Sequence, residues 1–509
     1  MEQIAVIEKE IADWITMHLT IVILIGVGLV LTVVSRGVQL RLFPEMVRTV
    51  LGSRKGADGG ISSFQAFAIS LAARVGIGNV FGVAAAPLMG GPGAIFWMWV
   101  VALVGMGTAF FEATLAQIFK VRHADGSFRG GPAYYMKRGM KNRTLANVFA
   151  VITVITCGVV ITSVQSNAIA GTLTSAFGEA AKQPLQGAGG FSAAQLTIAG
   201  LIFVFSAMVI FGGIRTVARV TEWMAPIMAT IYVIMVAIIC LMNISQFGTV
   251  LGQIFTSAFS ADATVGGLGG GIIAAMINGT KRGLFSNEAG QGTAPNAAAT
   301  ATVSHPVRQG LIQSLGVFID TIVVCTATAL IVLLSGVYNP AAARTGQFSA
   351  GTLTSISVTS QLGGWAQYLM VAMIFVFAYS SLLGNYTYAE INDSFLRGAT
   401  KKLNHTWLRV MILVATYVGA VASLDFVWNL ADVVMGIMAT INIFAITIMG
   451  RWAFGALRDW ESQYAQLKAG EIDEIRFVST DNKFLPGKLP GDVWSSENAG
   501  VHVNDRAEA

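Results

Sequence analysis

The stretch "ARVGIGN" (residues 73–79) lies in the middle of an apolar run from Phe64 to Leu88. An arginine and two glycines suit the centre of a lipid-embedded helix poorly. Glycine costs roughly 1 kcal/mol against alanine in a helix interior, and a freed backbone amide in lipid costs several times that. Gly76 and Gly78 flank Ile77, and Asn79 follows, so the helix is weak over four residues. Such a break persists where the backbone lines a cavity or binds something. The other reading is close helix packing through small residues, with Ala72 and Ala73 beside the glycines. This stretch alone leaves both open.

The chain around it has 509 residues, of which 54% are hydrophobic and 12% charged. Soluble domains carry about 25% charged residues, and runs of about 20 apolar residues indicate a polytopic helical membrane protein in the lipid bilayer. Spans are expected at about 14–36, 62–89, 94–119, 145–177, 194–213, 220–243, 268–302, 309–336, 365–395, 407–424 and 428–450. With the first helix entering from outside, the inside segments hold 28 of the 32 Lys and Arg. Lys9, Lys182 and Arg344 fall outside and Arg74 within a span. Positive charge stays on the cytoplasmic side, so the N-terminus is expected outside and the C-terminus inside, in the cell membrane.

The N-terminal "MEQIAVIEKEIAD" is acidic and lacks the basic region of a signal peptide, so the first helix reads as retained. Cys157, Cys240 and Cys325 lie in apolar runs without disulfide or metal spacing. A net charge of +5 follows from basic loops, and no nucleic-acid partner is expected. The lone Gly-Lys, in "PGKLP", lacks P-loop spacing, so no ATPase is expected. The tail from about 457 reads as a short helix followed by a flexible end.

The seventh span supplies the decisive comparison. In "AAMINGTKRGLFSNEAGQGTAPNAAA" (274–299), Asn278-Gly279 interrupts the apolar run, followed by Lys281, Arg282, Glu288 and three more glycines. Inverted-repeat transporters carry glycine-interrupted helices at matching positions in each half, with the substrate between them. Breaks in spans two and seven divide the chain into five-helix repeats, 62–243 and 268–450. The extra first helix (1–36) precedes them and a cytoplasmic tail (451–509) follows. Amides near Ile77 and Gly78 head a half-helix whose dipole favours an anion such as a carboxylate. Carbonyls freed at Ala72, Ala73 and Val75 suit a hard cation. A zwitterionic amino acid and sodium fit together there. Arg74 is expected to form an inner gate, with Glu288 or Glu112 as partner.

These residues carry a resemblance. "SLAARVGIGNVFGVAAAPLMGGPGAIFWMWV", "FRGGPAYYM", "NGTKRGLFSNEAGQGTAPNAAA" and "GVFIDTIVVCTATA" resemble the alanine or glycine:cation symporter family, the sodium:alanine symporters. "VGIGN" followed by "GGPGAIF" is similar to the first helix of the neurotransmitter:sodium symporters, which implies the five-plus-five inverted-repeat fold named after LeuT. The resemblance implies a carboxylate site on the Ile77 and Gly78 backbone, and an amino-group site at Asn278 and Gly279. Gln165 becomes a polar contact. One sodium would meet the Asn79 side chain and the Arg74 carbonyl. A second would meet the carbonyls of Ala72 and Val75 with the hydroxyls of Ser380 and Ser381. The family's alanine-binding pattern carries a tryptophan where Asn385 stands, so Asn385 could widen the pocket or add a hydrogen bond.

The implied activity is sodium-coupled import of a small neutral amino acid, alanine and glycine, by alternating access. A glutamine carrier is the alternative. A channel would need a symmetric filter or polar-lined pore, and an intramembrane enzyme would need a zinc or nucleophile motif absent here. Asp320, near mid-membrane in the eighth span, is either an ion-coupling carboxylate or an acceptor of hydrogen bonds from a broken helix. Glu112, Glu390 and Asp432 sit nearer span ends, where interhelical pairing is expected. His18 and His305 are expected at interfaces, and Trp97, Trp99 and Trp223 in aromatic belts.

Overall fold

A computed structural model describes residues 10, 13–53, 61–124, 126–185, 190–260, 271–339, 350–398, 403–422 and 424–498. Lys9, Arg344, the start of the seventh span at 268–270 and the chain after 498 lie outside them. Each of the eleven expected segments holds helix over its described residues, with the second and seventh interrupted. Among the described residues, eight helices are long and apolar enough to cross a membrane, or nine with the bent pair Ser63–Arg74 and Ile77–Gly90. The seventh segment is short because it is broken, and the tenth, Thr406–Val421, has 16 residues. This is a multi-pass helical membrane protein.

Among the eight unbroken candidates, the third span, Gly93–Ile118, is the most enclosed, and the first helix and the fifth span are the most exposed. The first helix rests on the third: a side chain on Gly28 would meet Val104 and Thr108, while Val22, Leu29, Val30 and Val33 face outward.

The second span starts at a capping box, in which Ser62 and Gln65 satisfy each other's backbone amides. Its helix ends at Arg74. A 3-10 turn spans Ile77–Asn79, and a second helix runs from Phe81 to Gly90, bent by 54° from the first. The break expected from "ARVGIGN" is therefore present.

The seventh span breaks elsewhere. Helix Gly271–Asn287 runs unbroken through Asn278 and Gly279. The Asn278 amide donates to Ala274 O at 2.9 Å, one helical turn back, and Gly279 lets the helix press against the Ala94 carbonyl and Trp97. The interruption comes at Glu288–Thr293, before helix Ala294–Thr300. Glu288 (φ 55°), Gly290 (φ 83°) and Gly292 (φ 80°) all take the left-handed conformation, which glycine adopts freely and other residues do not. Lys281 and Arg282, expected in a cytoplasmic segment, lie instead within the helix before this break.

Two helices outside the expected spans cap the bundle. Ile244–Ala258 buries Val250, Ile254, Ser257 and Ala258, with Ala258 against Gly93. Ala350–Leu362 buries Leu353, Thr354, Ser357 and Val358. Thr354 Oγ1 donates to Val80 O at 3.1 Å, just past the second-span break. At the opposite end of the broken spans, Ile61 bridges Ala301, with Thr302 N donating to Ile61 O at 3.1 Å.

The tail is not a loose end. The last helix continues to Ala469, and the segment after it folds back with Phe477 and Trp494 each 1% exposed. His305, expected at an interface, is fully buried and faces Asp459. Trp97 and Trp99 donate to Ala258 O and Thr326 Oγ1, whereas Trp223 is exposed.

If Gly279 serves packing, Gly279→Val should cost about 1–3 kcal/mol through overpacking, and Asn278→Ala less than about 0.5 kcal/mol. Thermal unfolding of the purified protein in detergent measures both. A Gly279→Val protein as stable as the parent would show that this contact does not constrain the helix.

Candidate functional site

The second-span break leaves backbone groups without helical partners, and side chains from other spans supply them. Ile77 N donates to Gln165 Oε1 at 3.1 Å. Gly76 N donates to Asn79 Oδ1 at 3.1 Å and to Arg74 O at 2.8 Å. Ser381 Oγ donates to Ala73 O at 2.7 Å. The fourth and ninth spans thus seat against the break. Glycines permit the approach: a Cβ on Gly76 would lie 2.8 Å from Ser381, and one on Gly384 would lie 2.6 Å from Ala73 Cβ.

Asn385 stands one turn beyond Ser381. Its amide donates to Ser381 O at 2.9 Å, while its Oδ1 has no hydrogen-bond partner although the residue is 1% exposed. Ser380 turns away from the break, bonding Phe377 O and Met228 Sδ. Of the expected hydroxyl pair, the fold brings only Ser381 to the break.

A second polar cluster lies beyond Asn79. The Asn79 amide donates to Asp320 Oδ1 at 2.6 Å and to Ser286 Oγ at 3.0 Å. Ser286 and Thr321 hydroxyls donate to Asp320 Oδ2 at 2.5 and 2.8 Å. Thr328 Oγ1 donates to Asn79 O at 2.6 Å. Asp320, Asn79 and Ser286 are fully buried. No Lys or Arg forms an ion pair with Asp320 among the described residues. Asn79 Oδ1 is engaged by Gly76 N, so the amide presents its nitrogen to the carboxylate. The eighth span is π-helical over Phe318–Cys325, and the fourth is π-helical over Thr156–Ile161. Such bulges recur at functional sites. Apolar periodicity carries no sign of them.

Phe285, just before Ser286, presses its ring on the break; a Cβ on Gly78 would sit 2.5 Å from it. The ring stacks on Trp428 at 4.6 Å. Arg282 lies over the same indole at 5.1 Å and pairs with buried Asp432 at 2.5 Å. Lys281 pairs with Asp13 of the first helix. Asn278 and Gly279 lie further back along this helix, and their backbone is committed to it.

Arg74 is buried, donating to Gln313 O at 3.2 Å, with Gly316 leaving room for its guanidinium. Its Nε and Nη2 have no partner. The expected ion pair with Glu288 or Glu112 is not formed. Glu112 accepts from Gly290 N at 3.3 Å and from Asn442 Nδ2 at 2.9 Å. Glu288 accepts from Thr293 Oγ1 at 2.7 Å. Both carboxylates are engaged with the seventh-span break or its neighbours. Glu390, expected to pair between helices, instead pairs with Arg129 of the short strand Phe128–Arg129, at 3.8 Å.

Related proteins cover nearly the whole chain. The amino-acid carrier protein AlsT of Bacillus subtilis is 41% identical over 93% of this chain and 94% of its own. The probable sodium/glutamine symporter GlnT of the same species is 41% identical over 89% of each chain. Its putative sodium/proton-dependent alanine carrier protein YrbD is 40% identical over 96% of each. The sodium:alanine symporter family model matches residues 1–474. The chain therefore belongs to the sodium:alanine symporter family, whose members are transporters rather than enzymes and take sodium as the co-transported ion.

Proposed function

We propose that this protein imports alanine and glycine with sodium across the cell membrane by alternating access, with its N-terminus outside and its C-terminus in the cytoplasm. The observation that carries the reading is the second-span break, whose freed backbone meets Gln165, Ser381 and Asn79 in one buried place. The substrate carboxylate binds near the Ile77 and Gly78 amides, where the dipole of the following half-helix favours an anion. For that, Ile77 N exchanges its bond to Gln165 for one to substrate. The eleven helical segments cross eleven times, and the breaks in the second and seventh relate two five-helix repeats. Without Lys281 and Arg282, the inside segments still hold 26 of the 32 basic residues, so the charge bias still favours this orientation.

Sodium, the cargo ion, takes oxygen ligands. One place for it lies among Asp320, Ser286 and Asn79, where a buried carboxylate has hydroxyl and amide neighbours and no cationic side chain in contact. An intramembrane carboxylate without a paired charge marks an ion pathway more often than a scaffold. The other lies at the carbonyls of Ala72 and Val75 with Ser381 Oγ. Asp320→Asn and Ser381→Ala should each raise the sodium concentration for half-maximal uptake in proteoliposomes by about tenfold, the equivalent of about 1.4 kcal/mol. Parental sodium dependence in both, at normal protein level, would remove this ion assignment.

Selectivity falls to the wall facing the substrate side chain, because backbone holds every amino acid alike. Asn385 is one turn from Ser381, on the same helix face, and its free Oδ1 also gives glutamine a reading. A carbonyl oxygen accepts a bond from a side-chain amide, and GlnT shows the family to include a protein named for glutamine. Removing one methylene is worth only about 1–3 kcal/mol of discrimination, so alanine should be favoured over glycine weakly. Asn385→Trp should narrow uptake toward the smallest substrates. Competition settles the choice: glutamine displacing labelled alanine better than glycine does would identify a glutamine carrier.

A further inference from the structure

The family match ends at residue 474, but the fold does not. Beyond the long last helix the chain turns back and runs under the end of the bundle where the two broken spans meet. Phe477 N donates to Ser304 O at 2.9 Å. Trp494 Nε1 donates to Gln117 O, in the last turn of the third span, at 2.9 Å. Ser479 N donates to Trp494 O at 2.8 Å, closing the segment on itself. Phe477 meets the Trp494 ring edge-on at 5.3 Å and the His305 ring at 5.1 Å. Gln463 exchanges two bonds with the Arg476 backbone, each 2.8 Å. Asn482 bonds Asp459, which also faces His305.

The residues under this segment tie the third span to the connectors of both broken spans. Lys120 Nζ donates to Ala301 O at 3.0 Å and lies over the rings of Phe128 and Trp494 at 4.1 and 4.7 Å. Gln117 Nε2 donates to Ala298 O and Ala301 O. The connector from Ala301 to His305 follows the short half-helix of the seventh span. It also pairs with Ile61, two residues before the half-helix that ends at Arg74. The terminal segment therefore fastens one connector that touches both half-helices and the third span together.

We propose that residues 470–498 form an intramolecular strap that holds the cytoplasmic ends of the two broken spans together, and that its release is a step in opening to the cytoplasm. This rests on the alternating-access reading and its orientation. The strap is anchored mainly through two aromatic side chains and a few hydrogen bonds, so it can leave without unfolding the spans. Burial of these aromatic side chains favours the docked segment, and a ligand or conformational change that binds the released state better can reverse it.

Two experiments on the full-length protein test this. In the first, Ser70→Cys reports access to the half-helix Ser63–Arg74, which the strap does not cover. Inside-out vesicles are treated with a membrane-impermeant maleimide, and labelling of the protein without Ser70→Cys is subtracted. Trp494→Ala and Phe477→Ala should each raise that labelling at least threefold at unchanged protein level. Unchanged labelling in both overturns the proposal. In the second, Ser304→Cys with Phe477→Cys, placed at the backbone hydrogen bond that joins the segment to the connector, is oxidised in proteoliposomes, with loss of free thiol confirming the bond. Sodium-driven alanine uptake should stop when the bond forms and return on reduction. Full uptake with the bond intact shows that no release is needed and also overturns it. Absence of amino-acid uptake in the parent protein would count against the transport reading, while the maleimide result still decides whether the strap holds the spans closed.

Discussion

A backbone amide inside a bilayer must have a partner, and this structure is organised around the places where the helix stops providing one. At the second-span break the partners come from far along the chain. Gln165 of the fourth span takes Ile77 N, and Ser381 of the ninth donates to Ala73 O. At the seventh-span break Glu112 of the third span takes Gly290 N, and Asn442 of the last span donates to Gly290 O at 2.9 Å. Gln291 bonds Leu284 O at 2.7 Å across the interruption. Each break is held by polar side chains on intact helices. The intact helices therefore form a frame, and the broken ones hold the groups that a ligand can compete for.

The two breaks differ in what holds them. Those of the second span are neutral amides and hydroxyls, with small residues admitting the neighbours closely. On the proposed reading, a substrate carboxylate would displace Gln165 from Ile77 N without stranding a charge. Those of the seventh include two carboxylates, Glu112 and Glu288, and the backbone takes three left-handed residues within five positions. That break is the more fixed of the two. Asn79 connects them, because its amide reaches Asp320 and Ser286 while its oxygen holds Gly76 N. On the proposed reading, a cation that reorients Asp320 would alter the Asn79 bond that shapes the second-span break. This gives a short physical route for coupling ion and substrate.

How much of this was legible in the sequence depended on whether a residue's role was local. Span positions followed from apolar runs and loop charge, and the second break followed from Gly76 and Gly78, which serve contacts at the break itself. The seventh break was misplaced because Asn278-Gly279 looks like a helix breaker. Asn278 satisfies itself on Ala274 O, and Gly279 is spent on the third span. The true signal was the polar, glycine-rich "NEAGQG" nine residues on. The capping helices Ile244–Ala258 and Ala350–Leu362 give no span signal because they are short, 15 and 13 residues, with polar residues spread through them. Ser380 and Ser381 were indistinguishable until the rotation of the ninth span was known. The docked tail depends on Phe477 and Trp494 finding a surface that no local pattern describes.

Arg74 shows most plainly why pairing was illegible. A gate requires a partner within ion-pair reach, and the guanidinium instead bonds a carbonyl on the eighth span. Burying a charge this way is expensive unless nearby charge of opposite sign offsets it. Among the described residues no carboxylate pairs with it; Glu112, Glu288 and Asp320, on the third, seventh and eighth spans, are buried acids of the same bundle. Because Arg74 ends the half-helix that leads into the substrate break, any movement of that half-helix shifts one positive charge relative to all three. Asp320 belongs to the proposed ion site, and Glu112 and Glu288 to the seventh-span break. On the proposed reading, with sodium at Asp320, the arginine that looks misplaced at mid-membrane is a charge at the end of the half-helix on which ion binding would act.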